Sequence, residues 1–109
     1  MREAEILRQC LEYLHAAGHF AWRQNQGAFL SEYKGKKRFV RFASAAGITD
    51  IIGCIGQGPK RGQLLAVECK RPSEGPTLTQ EVFLDLVTAH GGLAVVVHSV
   101  EELQEALES

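Results

Sequence analysis

The segment from Leu64 to Val97 most constrains the fold, because its pattern predicts a strand, a helix and a second strand in succession. Leu64 to Lys70 begins with an apolar run, and Leu93 to Val97 is apolar throughout. Between them, Thr77-Leu78-Thr79-Gln80 has the form of a capping box that opens a helix, and Gly91-Gly92 ends it. Two strands joined through a helix are expected to lie parallel, with a right-handed connection.

Amphipathic patterns predict three helices. The first covers residues 3 to 17, before Gly18, and its apolar positions follow the spacing i, i+1, i+4, i+5, i+8. The last opens at Ser99-Val100-Glu101-Glu102, a second capping-box pattern. The expected inward faces are Ile6, Leu7, Cys10, Leu11 and Leu14 in the first helix; Val82, Phe83, Leu86, Val87 and His90 in the middle one; and Leu103, Ala106 and Leu107 in the last.

Short runs rich in aromatic and β-branched residues predict the remaining strands. They are Phe20 to Arg23, Ala28 to Tyr33, Arg38 to Phe42 and Ile51 to Ile55, with turns at Lys34-Gly35-Lys36 and Gly56 to Gly62 and a small, flexible stretch from Ala43 to Gly47. The predicted order is α-β-β-β-β-β-α-β-α, which gives an α/β fold with a mixed central sheet flanked by helices. We expect residues 1–109 to form a single domain.

Size and composition favour an intracellular oligomer. A chain of 109 residues buries only about two-thirds of its unfolded surface, so a homodimer is expected as a supplement to its core. Three cysteines (Cys10, Cys54, Cys69) at long spacings fit neither a disulfide framework nor a zinc ribbon, which favours reduced thiols. The charged N-terminus and the absence of a long apolar run predict a cytoplasmic protein with no membrane segment.

The basic residues are unevenly distributed, although the net charge is only -1. Between positions 23 and 41 there is one acidic residue and there are six basic residues: Arg23, Lys34, Lys36, Lys37, Arg38 and Arg41. Such a run is usually a solvated surface. Beside a catalytic site it becomes a candidate surface for nucleic-acid phosphates.

The main candidate site combines Asp50 with Glu68 and Lys70. Strand side chains alternate, so Glu68 and Lys70 project from one face while Cys69 points to the other. Two carboxylates can hold Mg²⁺ or Mn²⁺ for phosphodiester hydrolysis, and an ammonium beside them can orient water, stabilise negative charge or act as a base. The alternative is an exposed ion pair, since a Glu-x-Lys tripeptide arises by chance in roughly one such chain in three. The apolar runs beside all three residues favour the site.

Two further polar residues have both a structural and a functional explanation. Glu3 can stabilise the first turn of its helix, yet it shares the core-facing stripe with Ile6 and Leu7, which favours a metal-site role. Gln80 is explained by its capping-box position, but it lies at the edge of the buried helix face. It can therefore reach the strand that carries Glu68.

Together these motifs resemble the virus-type replication-repair nuclease (VRR-NUC) family of the PD-(D/E)XK superfamily, over nearly the whole chain. Glu3 and the apolar pattern after it resemble the first helix of that family. Trp22-Arg23-Gln24-Asn25-Gln26-Gly27 resembles its Trp-Arg-Asn segment, Gly47-Ile48-Thr49-Asp50 its Gly-x-x-Asp motif and Glu68-Cys69-Lys70 its Glu-x-Lys motif, while Gln80 matches the glutamine of the next helix. Thr49 stands where the superfamily name calls for proline.

The resemblance implies a restriction-endonuclease-like fold and a Mg²⁺- or Mn²⁺-dependent nuclease acting on branched DNA, most simply a homodimeric Holliday-junction resolvase in a bacterial cell or phage-infected host. It implies catalytic roles for Asp50, Glu68, Lys70 and Gln80, and metal ligation by Glu3, Asp50, Glu68 and the Cys69 carbonyl. The basic residues between 34 and 41 would contact DNA, and Arg23 and Asn25 would contact DNA or support the site, whereas Trp22 is more often a core residue than a stacking platform. A monomeric flap or nicking endonuclease, a non-catalytic DNA-binding module and RNA cleavage remain alternatives.

Overall fold

The computed structural model describes residues 1–24 and 48–109 in full, and the backbone alone of residues 28–33 and 36–41. Within these residues the element order is the predicted one. The helices are α1 (Glu3–Ala16), α2 (Leu78–Ala89) and α3 (Val100–Glu108); the strands are β1 (Phe20–Arg23), β2 (Ala28–Tyr33), β3 (Lys36–Arg41), β4 (Ile51–Cys54), β5 (Leu64–Cys69) and β6 (Leu93–Val97). No described helix has the length and apolarity that a membrane span requires.

Four strands form a mixed sheet in the order β1-β4-β5-β6. The first three pair antiparallel, while β5 and β6 pair parallel and are connected through α2. The parallel pair expected from the strand-helix-strand segment is therefore confirmed, as is the α/β class.

The strands β2 and β3 form a separate two-stranded antiparallel sheet. Tyr33 pairs with Lys36, so Lys36 belongs to the strand rather than to the predicted turn. The described part of β3 ends at Arg41, and Phe42 of the predicted strand lies outside the described residues. The stretch 43–47 and residues 34–35 of the predicted turn lie outside the described residues.

Helices α1 and α3 cover one face of the four-stranded sheet. Ile6 and Leu14 of α1 and Leu103 of α3 are fully buried against Leu65 and Val67 of β5. Each such side chain contributes about 1.5–3 kcal/mol through removal of apolar surface from water. This face holds most of the described core and fixes α1 beside the strands that carry the candidate site.

Helix α2 packs on the opposite face, over β5 and β6. Its buried residues are Leu84 and Val87, which contact Ala66. The predicted face was wrong at Val82 and Leu86, which are 52% and 54% exposed, and at His90, which is also exposed. Apolar residues surround much of α2, so its periodicity alone fits more than one orientation about the helix axis.

The two predicted capping boxes differ in the structure. The Thr77 side chain accepts from the Gln80 N–H, and the Gln80 side chain accepts from the Thr77 N–H, which completes the first box. Ser99 caps α3 through the Glu102 N–H, but the Glu102 carboxylate accepts from the His98 N–H. Only the first motif forms the complete reciprocal box.

Candidate metal centre

The pairing of β4 with β5 brings Asp50 and Glu68 to the same end of the sheet. Ile51 pairs with Val67, and Asp50 precedes the first as Glu68 follows the second. An antiparallel register therefore places the two carboxylates opposite each other, as a hairpin pattern in the sequence predicts.

Glu3 brings a third carboxylate from the first turn of α1. One ligand oxygen from each of Glu3, Asp50 and Glu68 lies within 4.8 Å of the other two. Glu3 and Asp50 are partly exposed, whereas Glu68 is 2% exposed. We call these three residues the carboxylate cluster.

The two oxygens of Glu68 have different surroundings. Oε1 accepts a hydrogen bond of 3.1 Å from Gln80 Nε2 and lies 3.7 Å from Lys70 Nζ. Oε2 is buried with no hydrogen-bond partner in the described part of the chain. A buried carboxylate oxygen without a partner is costly, and a cation shared with Asp50 and Glu3 would remove that cost.

The cluster makes the charged form of Glu68 unfavourable in the absence of a cation. Burial raises the pKa of Glu68 to about 8, with further contributions from the charge of Asp50, from a hydrogen bond to Asp50 that favours the protonated form, and from the charge of Glu3, which Lys70 partly offsets. A proton or a metal ion can relieve this repulsion, so the two are expected to compete for the cluster.

Asp50 is held by hydrogen bonds from the strands on both sides of β4. Its Oδ2 accepts from the Cys69 N–H at 2.9 Å, and its carbonyl accepts from the Gln24 N–H at 2.7 Å. The preceding Thr49 is fully buried and donates to the Ile51 carbonyl. These bonds fix the carboxylate at the end of β4, and among the described residues no hydrogen bond engages Oδ1.

Cys69 contributes its backbone rather than its thiol. The side chain is fully buried beside Cys10, on the face opposite Glu68. A hydrogen bond with Cys10 and burial raise the pKa of the Cys69 thiol, so it stays protonated. Ligation by the Cys69 carbonyl stays a prediction.

Gln80 has both of the roles that the sequence left open. Its Oε1 accepts from the Thr77 N–H at 2.9 Å, which caps α2, while its Nε2 donates to Glu68. An amide can do this because it carries a donor and an acceptor at once. The start of α2 and the orientation of Glu68 are thus fixed by one side chain.

Lys70 follows the last residue of β5 and projects toward the cluster, as strand alternation predicts. Its backbone N–H donates to the Val97 carbonyl, and its side chain is 12% exposed. The ammonium is held close to Glu68 but outside normal hydrogen-bond distance. This ion pair places the ammonium beside the carboxylates, where it could also donate to a bound anion.

The predicted DNA-binding residues are only partly described. Arg23 is exposed, and its Cα pairs with that of Ile51, the residue that follows Asp50. Asn25 and Lys34 lie outside the described residues. Lys36, Lys37, Arg38 and Arg41 are described in the backbone of β3 alone.

His98 has a supporting role that its sequence pattern does not indicate. Its Nε2 lies 2.9 Å from the Glu74 carbonyl and its Nδ1 lies 3.1 Å from Glu102 Oε1, so it connects the segment after Lys70 to α3. These two acceptors raise the pKa of His98. Its position directly after β6 is the only signal in the sequence that places it near that segment.

Comparison of the sequence with models of protein families and with curated proteins found no match. A functional assignment therefore rests on the motifs of the chain and on the geometry of the carboxylate cluster with Lys70 and Gln80.

Proposed function

We propose that the chain is a metal-dependent nuclease of the VRR-NUC type, with a restriction-endonuclease-like fold. One observation carries the proposal. Glu68 Oε2 is buried without a partner among the described residues, at a point where oxygens of Asp50 and Glu3 converge. A domain that used Glu68 only for stability would gain by replacing this side chain with an apolar one.

The donor set fits a hard divalent cation. Carboxylate oxygens are the ligands that Mg²⁺ and Mn²⁺ favour, and no sulfur or imidazole belongs to the carboxylate cluster. When bound, such an ion would supply Lewis-acid stabilisation of the phosphate charge and a hydroxide nucleophile at neutral pH. Glu3, Asp50 and Glu68 would hold it, with the Cys69 carbonyl as a further ligand.

The remaining residues of the site orient these ligands and meet the phosphate. Gln80 fixes Glu68 through Oε1, which leaves Oε2 for the cation. The Lys70 ammonium orients the attacking water or stabilises negative charge as the phosphorus-oxygen bond breaks. The hydrogen bond from Cys69 holds Asp50 and reduces the reorganisation that binding requires.

Branched DNA is the proposed substrate and a homodimer the proposed active form. Two sites related by a twofold axis match the symmetry of a four-way junction, and the basic residues between 23 and 41 supply phosphate contacts. Arg23 is the described residue that best supports this arrangement, because it is exposed and its Cα pairs with that of Ile51, the residue after Asp50.

The test is cleavage of a labelled four-way junction beside flap, nicked, single-stranded and linear duplex DNA and an RNA strand, each with Mg²⁺, Mn²⁺ or EDTA. Paired metal-dependent cuts in the junction are expected, with a dimer mass in solution. If a monomer cuts chiefly flaps or nicked DNA, the protein is a flap or nicking endonuclease and not a junction resolvase. DNA binding without any cleavage would favour the alternative of a non-catalytic DNA-binding module.

A matched pair of variants separates ligation from general charge effects. Glu3→Gln and Glu5→Gln remove the same charge from the same first turn of α1, but only Glu3 belongs to the carboxylate cluster. Glu3→Gln is expected to raise the Mn²⁺ concentration needed for half-maximal cleavage, while Glu5→Gln leaves it unchanged. Equal behaviour of the two would remove Glu3 from the site.

A further inference from the structure

Two aromatic side chains lie exposed on β1. Phe20 is 72% exposed and Trp22 is 41% exposed, so the expectation that Trp22 belongs to the core was wrong. Their ring centroids are 5.2 Å apart with an interplanar angle of 53°. We call these two residues the aromatic pair. Adjacent exposed aromatic rings are typical of interaction surfaces.

The aromatic pair is exposed because α2 covers only half of its face of the sheet. The helix packs over β5 and β6, while β1 is at the opposite edge, next to β4. Phe20 pairs with Cys54, which pairs with Leu64, and all three side chains are exposed. The described residues therefore leave an apolar strip open across β1, β4 and the start of β5.

The aromatic pair lies on the same face of the sheet as Glu68. Trp22 pairs with Ile52, which pairs with Ala66, and Ala66 shares its face with Glu68 two residues later. Strand spacing and rise place the Cα of Trp22 about 12 Å from that of Glu68. A few nucleotides span this distance, since phosphates along one strand of a duplex are ~3.4 Å apart along its axis.

A chain of two hydrogen bonds connects Trp22 to the carboxylate cluster. The Trp22 Nε1–H donates to Gln24 Oε1 at 3.1 Å, and the Gln24 backbone N–H donates to the Asp50 carbonyl. The polar atom of the indole is already satisfied, so further contact with Trp22 is made through the ring. A ring fixed in this way and exposed beside a phosphate-binding site suits a flat aromatic ligand.

We propose that the aromatic pair is a stacking platform for unpaired nucleobases of the strand whose phosphate enters the carboxylate cluster. This inference rests on the proposed nuclease function and deepens it, because it requires bases of the branched substrate to unpair within a few nucleotides of the scissile phosphate. Stacking is tolerant of sequence, since every base has a π-face, so no base preference is expected from this contact.

The sequence provides its own probe, because Trp22 is the one tryptophan of the chain. The experiment titrates the protein with oligothymidylate and with an abasic oligonucleotide of equal length, in Ca²⁺ and again in EDTA. Tryptophan fluorescence reports stacking, while the anisotropy of an end-labelled strand reports binding. Quenching by oligothymidylate alone is expected, because the abasic strand carries the phosphates without the bases.

Variants test the same contact without relying on fluorescence. Phe20→Leu and Trp22→Leu keep apolar surface but remove the rings, and each is expected to weaken oligothymidylate binding at least about fivefold. Leu86→Ala is the control, because Leu86 is an exposed apolar residue on the outward face of α2. Circular dichroism of each variant checks that the fold is kept.

Three results would overturn the platform: equal quenching by the abasic strand, unchanged affinity in both leucine variants, or no binding of either strand. A shift in Trp22 fluorescence with protein concentration alone would also overturn it, because a second copy of the chain would then cover the rings. Failure of the nuclease proposal looks different. In that case no substrate is cut in Mg²⁺ or Mn²⁺, whatever the fluorescence shows.

Discussion

The two ends of the β4-β5 hairpin follow opposite principles. At the turn, backbone groups of Ile55, Gly58 and Gly62 form hydrogen bonds of 2.7–3.2 Å, Lys60 is partly exposed and Arg61 is exposed. At the other end, Asp50 and Glu68 crowd together and one buried oxygen has no partner among the described residues. The same two strands therefore have one end with satisfied polar groups and another end where crowded carboxylates lower the stability of the fold. Such local conflict is typical of functional sites.

The largest contrast between the two ends is expected in catalysis. Asp50→Asn, Glu68→Gln or Lys70→Ala is predicted to lower cleavage at least about a thousandfold, because each removes a charge used at the metal or in the transition state. Lys60→Ala, at the turn, is predicted to leave the rate within about twofold. Single-turnover cleavage of the best substrate measures both, and normal activity in any of the first three defeats the site assignment.

The pH dependence of stability is expected to come from the carboxylate end. The pKa of Glu68 is about 8 in the folded protein, against an ordinary value of 4.5, so the folded state binds this proton more tightly than the unfolded state. The resulting stabilisation is complete below pH 4.5 and is lost as the pH rises through 8. The metal-free protein is therefore predicted to lose about 2–4 kcal/mol of unfolding free energy between pH 5 and pH 8. Urea denaturation measures this loss.

The matched variant for this prediction is Glu68→Gln, which cannot ionise. Its unfolding free energy is expected to change much less over the same pH range. If wild type and Glu68→Gln give parallel profiles, Glu68 does not carry an unfavourable charge in the folded protein.

Metal binding is expected to reverse the cost at the carboxylate end. Mn²⁺ at a hundredfold excess over its dissociation constant is predicted to stabilise the wild type by about 2.7 kcal/mol. At a fixed Mn²⁺ concentration this stabilisation is expected to weaken as the pH is lowered, because protons compete for the carboxylates. Thermal unfolding with and without Mn²⁺ measures it. Asp50→Asn removes one ligand and Asp85→Asn removes an exposed charge from α2, so stabilisation is expected to disappear only in the first.

The smallest expected effect is on the salt dependence of DNA binding, and it distinguishes two pairs of basic residues. Replacing Lys36 and Lys37 together by alanine is predicted to reduce the magnitude of the slope of log affinity against log salt concentration by about 2. The loss of affinity between 50 and 200 mM salt would then be about tenfold smaller than in the wild type. The equivalent double replacement of Lys60 and Arg61, at the turn, is predicted to leave the slope unchanged. A slope that responds to both pairs or to neither would remove β3 from the DNA interface.

The sequence predicted the features that follow from local geometry. Alternation along β5 placed Glu68 and Lys70 together, and the hairpin pattern brought Asp50 opposite Glu68. The helical position of Glu3 predicted its approach to the same point. Each inference needed only the period of one element and the register of one pair of strands.

The errors came from contacts between elements that are distant in the sequence. The orientation of α2 depends on Gln80 meeting Glu68 and on Leu84 meeting Ala66, which the apolar pattern of the helix does not specify. Trp22 is exposed because α2 stops short of β1, although its local sequence is typical of a core strand. Local periodicity contains no information about what a neighbouring element leaves uncovered.

Gln80 ties local unfolding to the state of the site. Because one amide closes the first turn of α2 and also holds Glu68, fraying of that turn releases the carboxylate, and movement of the carboxylate loosens the turn. The first turn of α2 and the carboxylate cluster therefore behave as one cooperative unit. Hydrogen exchange at the Gln80 and Glu81 backbone amides would therefore report occupancy of the cluster as a change in the opening rate of the first turn of α2.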